Sequence, residues 1–197
     1  MLPTPPARRP VPPPGPRPVL PAAARRRPDL RFLLSHPAHL IALGLGSGLS
    51  PVAPGTVGTL WAWLAFLVVE PRLAPLEWAG VLAASVPIGW WACTLTARHL
   101  GTADPSAIVW DEVLAFWLVL SLVMPAGLLA QCAAFALFRF FDAAKPGPVG
   151  WADGLWKPRR GADGRLAIGW AQGFGILFDD LVAALCALVV IALWKVA

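Results

Sequence analysis

The run Ala107-Ile108-Val109-Trp110-Asp111-Glu112-Val113-Leu114-Ala115-Phe116-Trp117-Leu118-Val119-Leu120-Ser121-Leu122-Val123-Met124-Pro125-Ala126 decides the fold. It continues as largely apolar sequence to Phe138-Arg139-Phe140-Phe141-Asp142. A membrane-spanning helix needs about 20 apolar residues, and this run is far longer. Proline lacks a backbone donor and clashes with the preceding turn. Pro125 therefore divides the run into two half-helices, Glu112–Met124 and Ala126–Phe141. Either they form one kinked span, or they are two short helices that return to one side. Only the second arrangement lets Asp111 and Asp142 meet.

Outward from this run, further apolar segments occupy His39–Leu49, Val57–Val69, Ala79–Ala97 and about Ile168–Trp194. Val57–Val69 is too short for a span without its flanks. The polar, proline- and glycine-bearing stretch Lys145–Arg165 reads as a loop. The sequence thus predicts an all-α protein: a compact multihelical assembly of short and kinked helices, embedded in or lying against a membrane. Composition agrees, since the 197 residues are 57% hydrophobic and only 14% charged, whereas a soluble domain is nearer 25% charged. Ten of the eleven tryptophans sit mostly near segment ends, where an interfacial aromatic belt would put them, with plain core packing as the other reading.

The net charge of +5 is unevenly placed. Residues 1–31 hold seven arginines against the single acid Asp29, while the rest of the chain carries nine bases and ten acids. Eleven of the 22 prolines fall within residues 1–30. Residues 1–32 read as a disordered tail, too proline-broken for the apolar core of a signal peptide, and 33–197 as one helical domain. A basic tail beside a folded part with no basic surplus speaks against nucleic-acid binding. It favours an anionic inner leaflet on the cytoplasmic side. Cys93, Cys132 and Cys186 lie in apolar runs without paired spacing and read as reduced, buried thiols.

The chemistry rests on acids in apolar sequence. Asp111 and Glu112 open one half-helix, Asp142 closes the other, and Asp179-Asp180 lie inside the last apolar segment. Buried ionised groups are costly unless paired or bound to a cation. Arg139, Asp142 and Lys145, spaced by threes, share a helix face. They supply only two cations for five carboxylates. The remaining deficit points to one or two hard divalent ions on oxygen ligands, Mg²⁺ before zinc. The plainer alternative makes Asp111 and Glu112 partners of a helix dipole and Asp142 a salt-bridge partner. The segment Gly44-Leu45-Gly46-Ser47-Gly48-Leu49-Ser50-Pro51-Val52-Ala53-Pro54-Gly55-Thr56-Val57-Gly58-Thr59 offers close backbone approach and hydroxyls. It suits either a phosphate cradle or tight helix packing.

Four motifs in order make the chain similar to the phosphatidylglycerophosphatase A family over His36–Val190. They are Gly44–Thr59, Val109–Glu112, Phe138–Pro148 (Phe-Arg-x-x-Asp-x-x-Lys-Pro-x-Pro) and Gly173–Asp180 (Gly-x-Gly-Ile-x-x-Asp-Asp). The chain has Ala171-Gln172-Gly173 where the family commonly has His-Gly-Gly, and its 154–169 loop is longer. The resemblance implies a Mg²⁺-dependent lipid phosphatase of the bacterial inner membrane, its site facing the cytoplasm, acting on phosphatidylglycerophosphate. Asp111, Glu112, Asp142, Asp179 and Asp180 are then the catalytic and metal-binding candidates. Arg139, Lys145, Ser47, Ser50 and Thr56 are the candidates for binding substrate phosphate. A small cation transporter using intramembrane carboxylates is the alternative; cation flux without phosphate release would favour it.

Overall fold

The computed structural model describes residues 27–157 and 167–196. Among them every regular element is a helix, and there is no strand. α1 (Leu30–Leu34) and α2 (Pro37–Ala42) lead through a 3₁₀ turn at Gly44–Leu49 into α3 (Pro54–Val69). α4 (Pro75–Leu100), α5 (Trp110–Val123), α6 (Leu128–Ala144), α7 (Pro148–Leu155) and α8 (Trp170–Val196) follow.

The dividing role of Pro125 holds. α5 ends at Val123, the Met124–Pro125 peptide is cis, and α6 begins at Leu128. The two half-helices are therefore separate, and each is too short to cross a bilayer at 1.5 Å per residue. α5 is the hub. Val113, Ala115, Phe116, Val119 and Leu120 are fully buried, and α3, α4, α6 and α8 all pack on it. An all-round apolar helix is expected where every face meets another helix. Its Phe116 lies between Phe138 of α6, stacked at 5.6 Å, and Trp63 of α3, edge-on at 6.3 Å.

α4 and α8 are long and apolar enough to cross a membrane. At 26 residues α4 extends about 39 Å. α8 exposes Leu185, Val189 and Leu193 at four-residue spacing, one outward apolar stripe. α3 likewise exposes Leu60, Leu64, Leu67 and Val68. Contiguous apolar surface on several helices suits a lipid surround.

Several expectations need correction. Lys145–Arg165 is not simply loop, because α7 occupies Pro148–Leu155. Pro148 takes its first position, and Val149 and Ala152, three apart, are buried against neighbouring helices. Within the stretch 1–32 read as tail, α1 starts at Leu30, and Asp29 caps it by accepting the Phe32 N–H at 2.8 Å. Residues 1–26 of that tail lie outside the described residues, as do 158–166 of the longer loop. Of the cysteines, Cys93 is buried, Cys186 half-buried and Cys132 exposed, so the reading of three buried thiols fails at α6's outer face.

The tryptophans divide. Trp151, Trp170 and Trp194 are exposed, as a belt requires. Trp78 and Trp117 are buried. Indole N–H groups also tie helices together: Trp63 to Gln131 Oε1 at 2.7 Å, Trp78 to Ser121 Oγ at 2.8 Å, and Trp117 to the Ala62 carbonyl at 2.9 Å. A buried indole needs such a partner, so the core-packing reading holds for these.

Candidate active site

Each acidic motif reaches the site through a helix end or a helix crossing. Asp111 and Glu112 occupy the first turn of α5, and the Asp111 carboxylate accepts the Glu112 backbone N–H at 3.1 Å. Asp142 lies in the last turn of α6. The reversal at Met124–Pro125 makes these two ends neighbours. Arg139 links them: its Nη1 pairs with Asp142 and stands 3.6 Å from Glu112 Oε1. Asp179 and Asp180 come from α8, which packs extensively on α5. Asp180 is 3% exposed.

Asp111, Glu112 and Asp180 each offer a carboxylate oxygen, and the three oxygens lie within 4.8 Å of one another. Glu112 Oε2 and Asp180 Oδ2 are buried without a hydrogen-bond partner. A native fold rarely leaves such atoms unpaired. Clustered, orphaned carboxylate oxygens are the donor set of a hard cation of the Mg²⁺ type, so these residues fit the ion that the sequence suggested. The charge condition agrees. Burial, then the Asp180 carboxylate, pushes Glu112 up to about 8, and burial with Glu112 holds Asp111 well above the ordinary carboxylate range. Like charges withdrawn from water resist ionisation until a cation offsets them.

The other two predicted acids are engaged elsewhere. Asp142 is bound to Arg139, and Asp179 to Lys145. Lys145 does not continue the face of Arg139 and Asp142 as the spacing suggested. It is the C-cap of α6 in the left-handed region, φ 46°, and the turn swings it towards α7 and α8. There its Nζ bonds Asp153 Oδ1 at 2.8 Å as well as Asp179. Burial alone would lower the Lys145 ammonium, but the Asp153 and Asp179 bonds hold it above its usual value. Burial likewise opposes charge on Asp153, yet Lys145 and Lys157 hold its carboxyl below the usual range. Lys157 Nζ completes the chain 2.6 Å from Asp153 Oδ2.

The glycine-rich segment enters the same region. Gly48 meets the Ala107 carbonyl so closely that a β-carbon there would stand 2.0 Å from the oxygen. The Val109 N–H donates to the Ala42 carbonyl at 2.9 Å. The segment thereby seats the strand of chain that delivers Trp110-Asp111-Glu112. At Gly55 a β-carbon would meet Glu112 Oε1 at 2.1 Å and Arg139 Nη2 at 3.1 Å. The first turn of α3 is thus against the carboxylates. Its N-cap, Ala53, has no side-chain oxygen to offer, and Pro54 has no N–H. The backbone N–H groups of Gly55 and Thr56 belong to the unpaired first turn of a helix, where anions bind.

Of the predicted hydroxyls, Thr56 lies in that first turn, while Ser47 and Ser50 donate to their own loop, at Gly44 O (2.9 Å) and Val52 O (2.7 Å). Sequence reasoning counted Thr59 among the segment's hydroxyls but missed it as a phosphate-binding candidate. Its Oγ1 donates to the Gly55 carbonyl at 2.8 Å and stands 3.5 Å from Arg139 Nη1. It also missed Asp153, for which the four-residue spacing to Lys157 was the available signal. Gln172, where the family commonly has a glycine, accepts the Gly169 N–H at 2.8 Å and caps the start of α8.

Residues 40–195 match the family model described as phosphatidylglycerophosphatase A. The chain belongs to the phosphatidylglycerophosphatase A family. It is therefore an enzyme of the phosphatase class. Phosphatidylglycerophosphatase A of Escherichia coli is 36% identical over 156 residues, 78% of this chain and 80% of the relative. The Haemophilus influenzae protein of the same name is 34% identical over 164 residues, 83% of this chain and 92% of the relative. A putative phosphatidylinositol-3-phosphatase of Bacteroides thetaiotaomicron is 35% identical over 161 residues, 78% of this chain and 90% of the relative. No solved structure matches the chain.

Proposed function

We propose that this protein hydrolyses the terminal phosphate monoester of phosphatidylglycerophosphate to phosphatidylglycerol, that it requires Mg²⁺, and that it works at the cytoplasmic face of a bacterial inner membrane. The observation that carries this is the meeting of three carboxylate oxygens within 4.8 Å beside Arg139 and the first turn of α3. Negative ligands for a cation and positive groups for an anion lie side by side. A phosphomonoester with a metal ion is the substrate that needs both.

Asp111, Glu112 and Asp180 would hold Mg²⁺. When bound, the ion supplies positive charge to a phosphoryl oxygen and acidifies a water. The chain's own groups do the rest. Arg139, oriented by Asp142 and Thr59, presents a planar set of donors to the phosphate oxygens, whose geometry it matches. The Gly55 and Thr56 N–H groups and the positive end of α3 bind the same phosphate. Lys145, kept charged by Asp153 and Asp179, adds a fixed positive charge beside Asp179, the neighbour in sequence of the ligand Asp180. The apolar faces of α3, α4 and α8 would keep the acyl chains in lipid while the head group reaches the helix ends.

The cytoplasmic face is supported by the arginine surplus in residues 1–31, since basic flanks stay inside. The family favours catalysis over the cation-transport alternative. The relative named for a phosphoinositide gives a second substrate to include in the test. Purified protein in mixed micelles is to be given phosphatidylglycerophosphate or phosphatidylinositol 3-phosphate, with and without Mg²⁺, alongside Asp142→Asn. We expect Mg²⁺-dependent phosphate release, greater from phosphatidylglycerophosphate and lost in the variant. Metal-independent turnover, full activity of Asp142→Asn, or preference for the inositol lipid would overturn the respective part.

A further inference from the structure

Three histidines outside the phosphatase site converge at the C-terminal end of α4. His36 and His39 flank the first turn of α2, and His99 lies in the last turn of α4. His39 is 3% exposed. Its Nδ1 lies 2.8 Å from the Phe32 carbonyl and 3.1 Å from Ser35 Oγ. A carbonyl only accepts, so Nδ1 carries the proton and Nε2 keeps its lone pair. That lone pair faces His99 Nδ1 at 2.7 Å. The third ring, His36, is close to both. Centroid separations are 5.0 Å for His39–His99, 5.5 Å for His36–His39 and 6.0 Å for His36–His99. Imidazoles bound at 2.0–2.1 Å in a tetrahedral site would have centroids about 5.2 Å apart.

We propose that His36, His39 and His99 form a second metal site, specific for a borderline transition ion of the Zn²⁺ class, with water in the fourth position. Nitrogen-only ligands select such an ion over Mg²⁺, just as the oxygen-only phosphatase site selects the reverse. The His39 Nδ1–H on a backbone carbonyl is the outer-shell arrangement that fixes a ligating imidazole's tautomer. Three adjustments admit the ion. The proton that His99 Nδ1 donates to His39 Nε2 passes through solvent to His99 Nε2, so that Nδ1 presents a lone pair. The His39–His99 hydrogen bond opens to about 3.4 Å between nitrogens, the separation set by tetrahedral ligation. The His36 ring turns from the Ala38 N–H, which it now accepts at 3.0 Å, and presents a lone pair. The bound ion would clip α1 and α2 to α4, and so hold the entry of the glycine-rich segment from outside the reacting centre.

The test uses full-length protein in detergent with saturating Mg²⁺, so that the carboxylates are occupied, and Co²⁺ as the probe. We expect one equivalent of Co²⁺ with the visible absorption of a tetrahedral site, displaced by Zn²⁺. His99→Ala removes an exposed ring and should weaken binding at least tenfold. His36→Asn keeps a capping side chain while removing the imidazole and should weaken it at least threefold. Asp111→Asn should bind Co²⁺ as the parent does. Zn²⁺ should raise the melting temperature of the parent and of Asp111→Asn, but not of His99→Ala. Absence of a tetrahedral spectrum, or binding unchanged in either histidine variant, overturns the site whatever the phosphatase assay shows.

Discussion

Gly55 and Glu112 are packed so that no side chain fits between them: a β-carbon at position 55 would stand 2.1 Å from Glu112 Oε1. This contact joins the first turn of α3 to the first turn of α5. It brings the α3 backbone N–H groups to the carboxylate cluster, the placement that the proposed phosphate cradle requires.

Gly55→Ala separates stability from activity. Alanine favours a helix over glycine by about 0.8–1.0 kcal/mol. The obstructed atom is the far end of a flexible side chain, so Glu112 moves aside at small cost to folding. We expect a melting temperature close to the parent's and phosphate release reduced by about 10- to 100-fold, the scale of a displaced catalytic group. Equal activity would detach α3 from the site.

Asp180→Asn should move stability and catalysis in opposite directions. Asp180 lies buried against Asp111 and Glu112, and its Oδ2 has no partner. Burial among neighbouring carboxyls makes charge on Asp180 costly, so a neutral amide removes a cost that the metal-free fold carries. The same change deletes a ligand for the divalent ion. We expect the variant to melt higher than the parent in EDTA, to gain less on Mg²⁺ addition, and to release phosphate at least 100-fold more slowly, as loss of transition-state charge stabilisation entails. Lower stability in EDTA would mean that Asp180 is held by partners rather than awaiting a cation.

Much of this was legible in the sequence because charge inside apolar sequence is costly wherever it lies. Asp111, Glu112, Asp142, Asp179 and Asp180 stood out on that ground alone, and Pro125 marked the break, while the choice between a kinked span and a return stayed open. What was not legible depended on direction. Lys145 was placed by threes on the face of Arg139, but the αL turn at the end of α6 sends it to Asp153 and Asp179. α7 was hidden because its apolar positions are only a few residues among glycines and a proline. The tryptophans read as a belt because composition does not say which indole N–H finds Gln131, Ser121 or the Ala62 carbonyl across a helix interface.

Arg139 distinguishes charge from shape. Its Nη1 serves Asp142, Glu112 and Thr59 at once. Arg139→Ala leaves buried carboxylates unpaired and should cost about 3–5 kcal/mol of folding stability, read by denaturant unfolding in detergent. Arg139→Lys keeps the charge but replaces a planar fork with a point donor. We expect it to fold, yet lose about 100-fold in kcat, as removal of one transition-state donor does elsewhere. A lysine variant with full activity would make Arg139 a neutralising charge only.

Lys145 holds a left-handed backbone conformation, φ 46°, where a side chain is disfavoured by about 1–2 kcal/mol relative to the usual region. Helices commonly end on glycine at such a position. A lysine there keeps a conformational cost that must be offset by its ammonium, which bridges Asp153 and Asp179. Two variants separate the backbone from the charge. Lys145→Ala loses the ion pairs and keeps the unfavourable conformation; Lys145→Gly loses the ion pairs and relieves it. We expect both to lose most phosphatase activity, and the glycine variant to be more stable than the alanine variant by about 1 kcal/mol, the αL preference of glycine. Equal activity of Lys145→Gly and the parent would show that the position serves only to end α6.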